Sequence, residues 1–118
     1  MIRRHSGRIV NIGSMWGKCG ASCEAAYSAS KAAIIGLTQA LSKELGPSGV
    51  RVNCIAPGVI DTEMLDALGQ ETIALLSEEI PLGRLGKVQE IAQALLYLES
   101  ARYVTGQVLS VNGGFPII

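Results

Sequence analysis

Apolar positions fall into three short runs separated by longer stretches of helical spacing. "GRIVNIG", residues 7–13, clusters Ile9, Val10 and Ile12 between glycines, a pattern that predicts a buried strand. Residues 50–55 carry a second run without clean alternation, closed by Pro57 and Gly58. "GQVLSVNGG", residues 106–114, is the third. Runs apolar on both faces belong to parallel strands covered on both sides.

Between them the period changes. Ile34, Leu37, Leu41 and Leu45 recur at spacings of three, four and four, one face of a helix that Gly46 and Pro47 end. Ser22 is its expected N-cap, with Glu24 in the first turn. Residues 15–23, rich in small side chains, read as a loop. Residues 61–69 and 70–80 read as short surface helices, stopped by Pro81 and Gly83. Val88, Ile91, Ala92, Leu95 and Leu98 mark an amphipathic helix with Glu90 near its start. Strands alternating with helices predict one α/β unit, paired in parallel with right-handed crossovers. Three strands make a small sheet, and the first would be left as an exposed edge.

Composition narrows the function classes. Ten basic and ten acidic residues balance in 118, so no electrostatic footprint for nucleic acid or an anionic membrane is expected. No apolar run approaches the ~20 residues of a membrane span, and residues 1–10 lack a signal-peptide pattern. A soluble, cytoplasmic protein is the expectation. Cys19, Cys23 and Cys54 are an odd set with no disulfide framework, and one histidine adds too few ligands for zinc. Free thiols and no metal are expected.

The candidate chemistry lies in "GSMWGKCGASCEAAYSASK", residues 13–31. Tyr27 and Lys31 sit four apart, on one helix face. An ammonium beside a phenol favours the phenolate, which equips tyrosine for general acid–base work near neutral pH. Ser14 ends a strand, where ligands of open α/β sheets bind. Each feature alone has a bland reading: an amphipathic tip beside a solvated charge, and a turn serine. A strand-end serine, a glycine-rich loop and Tyr-x3-Lys in this order favour the catalytic one. A serine hydrolase is excluded, because "IGSMW" is not Gly-x-Ser-x-Gly and His5 lies upstream, leading into the same strand.

From "GRIVNIGSMWG" through "YSASK", "GPSGVRVNCIAPGVIDTEM" and "PLGRLGKVQEIAQALLYLES" to "YVTGQVLSVNGG", the chain resembles the carboxyl-terminal half of a classical short-chain dehydrogenase/reductase. It is similar in particular to the 3-oxoacyl-carrier-protein reductase branch. It also resembles the branch that reduces a 5-aminopentanone group on elongation factor P. The resemblance implies a Rossmann-type parallel sheet with helices on both faces, of which only the last three strands are present. Residues 1–118 are then the carboxyl-terminal part of a single NAD(P)-binding domain whose amino-terminal half is absent.

The resemblance further implies hydride transfer from NAD(P)H, NADP being slightly favoured over NAD, to a small or carrier-bound ketone. Ser14 would polarise the carbonyl, Tyr27 would donate the proton, and Lys31 would assist Tyr27 and bind the nicotinamide ribose. Pro57 and Gly58 would shape the turn beside the nicotinamide, Val59 and Ile60 would offer backbone groups to its carboxamide, and Thr62 would reach a phosphate or amide. Met15, Trp16, Cys19, Met64 and Leu65 would face the substrate, with loop or helix packing as their alternative. The family's glycine-rich pyrophosphate fingerprint, Gly-x3-Gly-x-Gly, does not occur in these residues. The family also assembles as dimers or tetramers, so a homo-oligomer is expected. A non-catalytic assembly module, with "FPII" buried on a partner, is the alternative function.

Overall fold

The computed structural model describes residues 1–117; the last residue of "FPII" lies outside them. Three strands form, β1 (Gly7–Ile12), β2 (Val50–Pro57) and β3 (Val108–Val111). The helices are α1 (Met15–Cys19), α2 (Ala25–Leu45), α3 (Gln70–Glu79) and α4 (Val88–Ser100), with short 3-10 turns at Ile2–Arg4, Gly46–Ser48 and Glu63–Leu68. The sheet is parallel in the order β1-β2-β3, with Ile12 opposite Ile55 and Pro57 opposite Val111. This is the expected Rossmann-type arrangement. β1 is an edge strand, as its place in the chain suggested.

Neighbouring side chains of β2 serve opposite faces. Cys54 lies on the α2 side, beside Gly13 and Thr38. Asn11, its register partner, donates to the Thr38 hydroxyl at 3.0 Å, and that hydroxyl donates to the Ile34 carbonyl at 2.8 Å. Ile55 lies on the other side, packed on Ala94 and Leu98 of α4 with Val10 and Leu109 around it. Helices therefore cover both faces.

That placement corrects one expectation. The strands advance in one direction across the sheet while α2 and α4 occupy opposite faces, so the two crossovers have opposite hands. Both cannot be right-handed. The β2-to-β3 connection, residues 58–107, is long enough to wrap the other way. Arg51 then fastens α4 where it arrives: its guanidinium donates to the carbonyls of Leu98, Glu99, Ala101 and Val104 at 2.7–3.3 Å. Asn53 adds bonds to the Val104 carbonyl and the Gln107 N–H.

Three local expectations also change. Residues 15–19 are helical, because Ser14 caps them by accepting from the Trp16 N–H at 3.2 Å. Helix α2 begins at Ala25, after Cys23 turns the chain at φ 66°, so Ser22 is not its cap. Its buried positions are Ser28, Thr38 and Ser42, whereas Leu37 is 53% exposed. Small side chains let the helix lie close to β2, and the Thr38 and Ser42 hydroxyls are satisfied by carbonyls of their own helix. On α4, Ala94 and Leu98 face inward, while Val88 and Leu95 face out.

Replacing Arg51 by methionine removes the donor shared by four carbonyls. Urea unfolding is expected to show a loss of about 1–3 kcal/mol, with hydrogen exchange rising first at the carboxyl end of α4. An unchanged midpoint and unchanged exchange there would contradict the fastening role.

Candidate active site

The site grows from the carboxyl end of β1. The Gly13 N–H donates to the Ile55 carbonyl at 2.7 Å, carrying the ladder one residue past the strand. A Cβ at Gly13 would stand 2.9 Å from the Cys54 sulfur, so no larger residue fits without a shift. Ser14 follows in extended conformation and is buried. Its oxygen accepts the Trp16 N–H, which leaves its proton free to donate.

Helix α1 lies directly on α2. A Cβ at Gly17 would come within 2.7–2.8 Å of the Lys31 carbonyl group, so glycine permits a contact no other residue allows undisturbed. Lys31 points its ammonium back to the strand end, donating to the Ile12 carbonyl at 3.3 Å. The same nitrogen sits 5.7 Å from the centre of the Tyr27 ring, within cation–π range. Lys31 thus joins Tyr27 to the strand end from which Ser14 emerges. Tyr27 is 45% exposed, open to an incoming molecule.

Around these residues, Trp16 packs edge-on against Phe115, with ring centres 6.4 Å apart. Met15 is buried beneath, whereas Cys19 is exposed and its thiol donates to the Met15 carbonyl at 3.4 Å. Lys18 reaches across to β3 and donates to the Ser110 hydroxyl at 2.8 Å. Met64 is 87% exposed on the 3-10 turn Glu63–Leu68, and Leu65 beside it is half-buried.

The second part of the site follows β2. Pro57 ends the strand, and the Gly58 N–H donates to the Val111 carbonyl at 2.9 Å. A Cβ at Gly58 would lie 2.7 Å from the Asn112 Cα. Residues 59–61 then pair with Gly86: its N–H donates to the Val59 carbonyl at 2.9 Å and its carbonyl accepts from the Asp61 N–H at 2.8 Å. In such a parallel bridge the middle residue turns its own peptide groups the other way. The Ile60 N–H and C=O accordingly have no hydrogen-bond partner among the described residues. One open donor beside one open acceptor complements a carboxamide, so this stretch suits a nicotinamide. Val59 already has its carbonyl engaged by Gly86.

Val59 and Ile60 line a hollow of about 240 Å³, with Arg84, Glu90 and Asn112 among its walls. Thr62, half-buried at the head of the 3-10 turn, lines a neighbouring one of about 570 Å³ with Asp61 and Met64. A larger hollow, about 990 Å³, lies at the other end of the sheet, around Arg8, Gly49 and Arg51. It is remote from Ser14, and its size carries no functional weight here. Among the described residues no three His, Cys, Asp or Glu side chains are grouped to hold a metal, and no helix is long and apolar enough to cross a membrane.

Sequence reasoning passed over Arg84 and Gly86, and gave Glu90 only its place at the start of α4. The Glu90 carboxylate accepts from both Arg84 terminal nitrogens, at 2.6 and 2.9 Å, and from the Lys87 N–H at 2.8 Å. These bonds, Arg84's foremost, hold its carboxyl down at about 2. The carboxylate in turn raises the Arg84 guanidinium above its ordinary value. Burial, first among its causes, pushes the Cys54 thiol up, so it is a packing residue and not a nucleophile.

Comparison with known proteins agrees with this architecture. A family model described as enoyl-(acyl carrier protein) reductase matches residues 1–116. The oxidoreductase YmfI of Bacillus subtilis is 50% identical over 117 residues, which are 98% of this chain and 48% of that protein. The 3-oxoacyl-[acyl-carrier-protein] reductase FabG of Chlamydia trachomatis is 50% identical over 116 residues, 97% of this chain and 47% of that one. The crystal structure of a 3-oxoacyl-[acyl-carrier protein] reductase from Brucella melitensis superposes with TM-score 0.92 at 39% identity, covering all of this chain and 45% of the other. The chain belongs to the short-chain dehydrogenase/reductase family, on its 3-oxoacyl-carrier-protein reductase side. It spans about half the length of the curated relatives it matches.

Two outcomes are expected from this geometry. Gly17→Ala should push α1 off α2 at a cost of about 1–3 kcal/mol. Urea unfolding and the fluorescence of Trp16, the chain's one tryptophan, report it; an unchanged spectrum and midpoint would show that the contact is slack. For Glu90 the folded value lies below the ordinary 4.5, so its contribution to stability is complete above 4.5 and is lost as pH falls towards about 2. A carboxyl carbon NMR titration should place its midpoint near 2; a midpoint at the ordinary value would rule out the ion pair in solution.

Proposed function

We propose that this chain forms the substrate and nicotinamide side of a cytoplasmic NAD(P)H-dependent ketone reductase, as the carboxyl-terminal part of a single dinucleotide-binding domain. The observation that carries this reading is the Lys31 ammonium, set between the Tyr27 ring and the strand end that leads into Ser14. Reduced NADP, or NAD, supplies the hydride when bound. The Ser14 hydroxyl, whose proton is free, holds the carbonyl oxygen of the substrate. Tyr27 gives that oxygen a proton as negative charge builds on it, and the Lys31 charge favours the phenolate left behind.

The Ile60 peptide groups receive the carboxamide, with Val59 orienting them and Pro57 and Gly58 fixing the turn; Thr62 binds further along the cofactor. Trp16, Cys19, Met64 and Leu65 surround the substrate, and Met15 supports them from below. A 3-oxoacyl thioester on a carrier is the substrate class, with a 5-aminopentanone group on a protein as the rival within the same chemistry. FabG, 50% identical, supports the 3-oxoacyl reading, whereas the name of YmfI, also 50% identical, says no more than oxidoreductase; assay decides between the two substrates.

Because these residues include no pyrophosphate-binding glycine motif, the chain alone should turn over poorly, positioning being a large part of a catalytic rate. The test supplies the amino-terminal half of the Chlamydia reductase as a second chain and follows NADPH and NADH oxidation with an acetoacetyl thioester. Activity should rise on mixing and fall about 10²–10⁴-fold in Tyr27→Phe. Full activity of the Tyr27→Phe protein would defeat the proposed mechanism, and robust turnover by the chain alone would defeat the division of labour.

A second reading, assembly with another copy of the chain, is favoured by the outward face of α2. Tyr27 and Leu37 are exposed there among alanines and Gly36, and the neighbouring β1 has an unpaired edge. Light scattering should find a dimer or tetramer; a monomer at high concentration would dismiss it.

A further inference from the structure

The open peptide groups of Ile60 exist because Gly86 holds the residues on either side of them. What holds Gly86 is a closed ring of bonds between residues 84 and 90. The Arg84 guanidinium grips both oxygens of Glu90 and also donates to the Leu85 carbonyl at 3.0 Å. Glu90 accepts from the Lys87 N–H, fixing the first turn of α4 to the same carboxylate. Gly86 lies inside this ring. A Cβ there would stand 2.6 Å from the Ile60 Cδ1, the tip of a side chain that can turn aside, and 3.7 Å from the Val59 carbonyl oxygen, so Gly86 packs directly on the Ile60 side chain.

We propose that Arg84 and Glu90 are positioning residues: their ion pair clasps the 84–90 turn and so sets the direction of the Ile60 N–H and C=O. This rests on the reading of residues 59–62 as the nicotinamide-binding stretch. An ion pair this exposed, with 50% and 31% of the two side chains accessible, contributes little to global stability. Its effect is geometric. The bidentate fork fixes orientation as well as distance, and two main-chain bonds transmit it to residues 59 and 61. Other charges nearby do not replace it: Lys87 engages Glu90 through its backbone N–H, and Asp61 meets Gly86 through its own.

The test compares the wild-type chain with Glu90→Gln, Arg84→Lys and the charge-swapped pair Arg84→Glu with Glu90→Arg. Hydrogen exchange of the Asp61 and Gly86 amides should quicken about tenfold in Glu90→Gln, with the amides of residues 52–56 unchanged. Arg84→Lys should be intermediate, and the swapped pair should recover only part of the protection, because an arginine at position 90 cannot accept from the Lys87 N–H. In parallel, reduced nicotinamide mononucleotide is titrated while the Ile60 amide resonance is followed; Glu90→Gln should weaken its binding several-fold, about fivefold.

Unchanged exchange at Asp61 and Gly86 overturns the clasp. Faster exchange throughout the sheet overturns it too, because the pair would then be a general stabiliser. Selective exchange with undiminished nucleotide binding overturns the positioning role. If the wild-type chain binds no nicotinamide at all, the functional reading fails by itself, and selective exchange still upholds the clasp.

Discussion

Everything in this molecule hangs from the two-sided burial of β2. Residues 52–56 of that strand are buried, alternate side chains facing α2 and α4. Ile55 collects the hydrophobic core on one side, while Cys54 is enclosed by Gly13 and Thr38 on the other. Hydrophobic burial of this kind is non-directional, so direction comes from the few polar groups placed among it. Asn11, Thr38, Arg51 and Asn53 are each hydrogen-bonded across elements, and no buried side-chain polar atom among the described residues lacks a partner. The apolar faces bring the helices onto the sheet, and these bonds decide where along the strands they stop.

That stopping point explains why the candidate site lies where it does. Ser14 and the 58–61 turn sit at the carboxyl ends of β1 and β2, on chain that leaves a rigid ladder, and the Lys31 ammonium reaches the same place from α2. Gly13 extends the ladder to Ile55, and Gly58 extends it to Val111. Ser14 and Val59 therefore lie within a residue or two of fixed backbone, while Tyr27 and Lys31 are carried on α2. Precision of this sort favours a chemistry in which a hydroxyl, a phenol and an ammonium must converge on one small group.

The sequence shows side-chain chemistry more readily than backbone approach. The three strands were legible because β2 is apolar on both faces and Pro57 and Gly58 mark its end. Tyr27 and Lys31 were legible because spacing alone puts them on one face. Helix α1 was missed: five residues carry too little periodicity, and its cap, Ser14, had already been given a chemical role. The inward face of α2 was misjudged because Ser28, Thr38 and Ser42 look like surface residues until their hydroxyls find helix carbonyls or the Ala21 N–H. Crossover hand was invisible, since it depends on which face of β2 each helix chooses. The pattern of apolar residues does not encode that choice. Arg51 does, once its four carbonyl partners are known.

Three glycines, of which sequence reading gave a role only to Gly58, act through close contacts. Gly17 allows α1 to touch Lys31, Gly58 allows the turn to touch Asn112, and Gly86 allows the 84–90 loop to touch Ile60. At the first two points the neighbour is backbone, which cannot yield; at Gly86 it is the tip of the Ile60 side chain. A site defined only by Ser14, Tyr27 and Lys31 could hold a carbonyl, but it would have no means of orienting a flat ring beside it. On the proposed reading the bridge to Gly86 supplies one, because it spends the hydrogen bonds of residues 59 and 61 on the protein and leaves those of Ile60 unspent. On that reading, orientation of the cofactor depends less on any side chain that touches it than on the two main-chain bonds behind it. It follows that changes at Gly86 or in its ion-paired ring should disturb recognition of the nicotinamide end, while leaving the Tyr27 and Lys31 geometry intact.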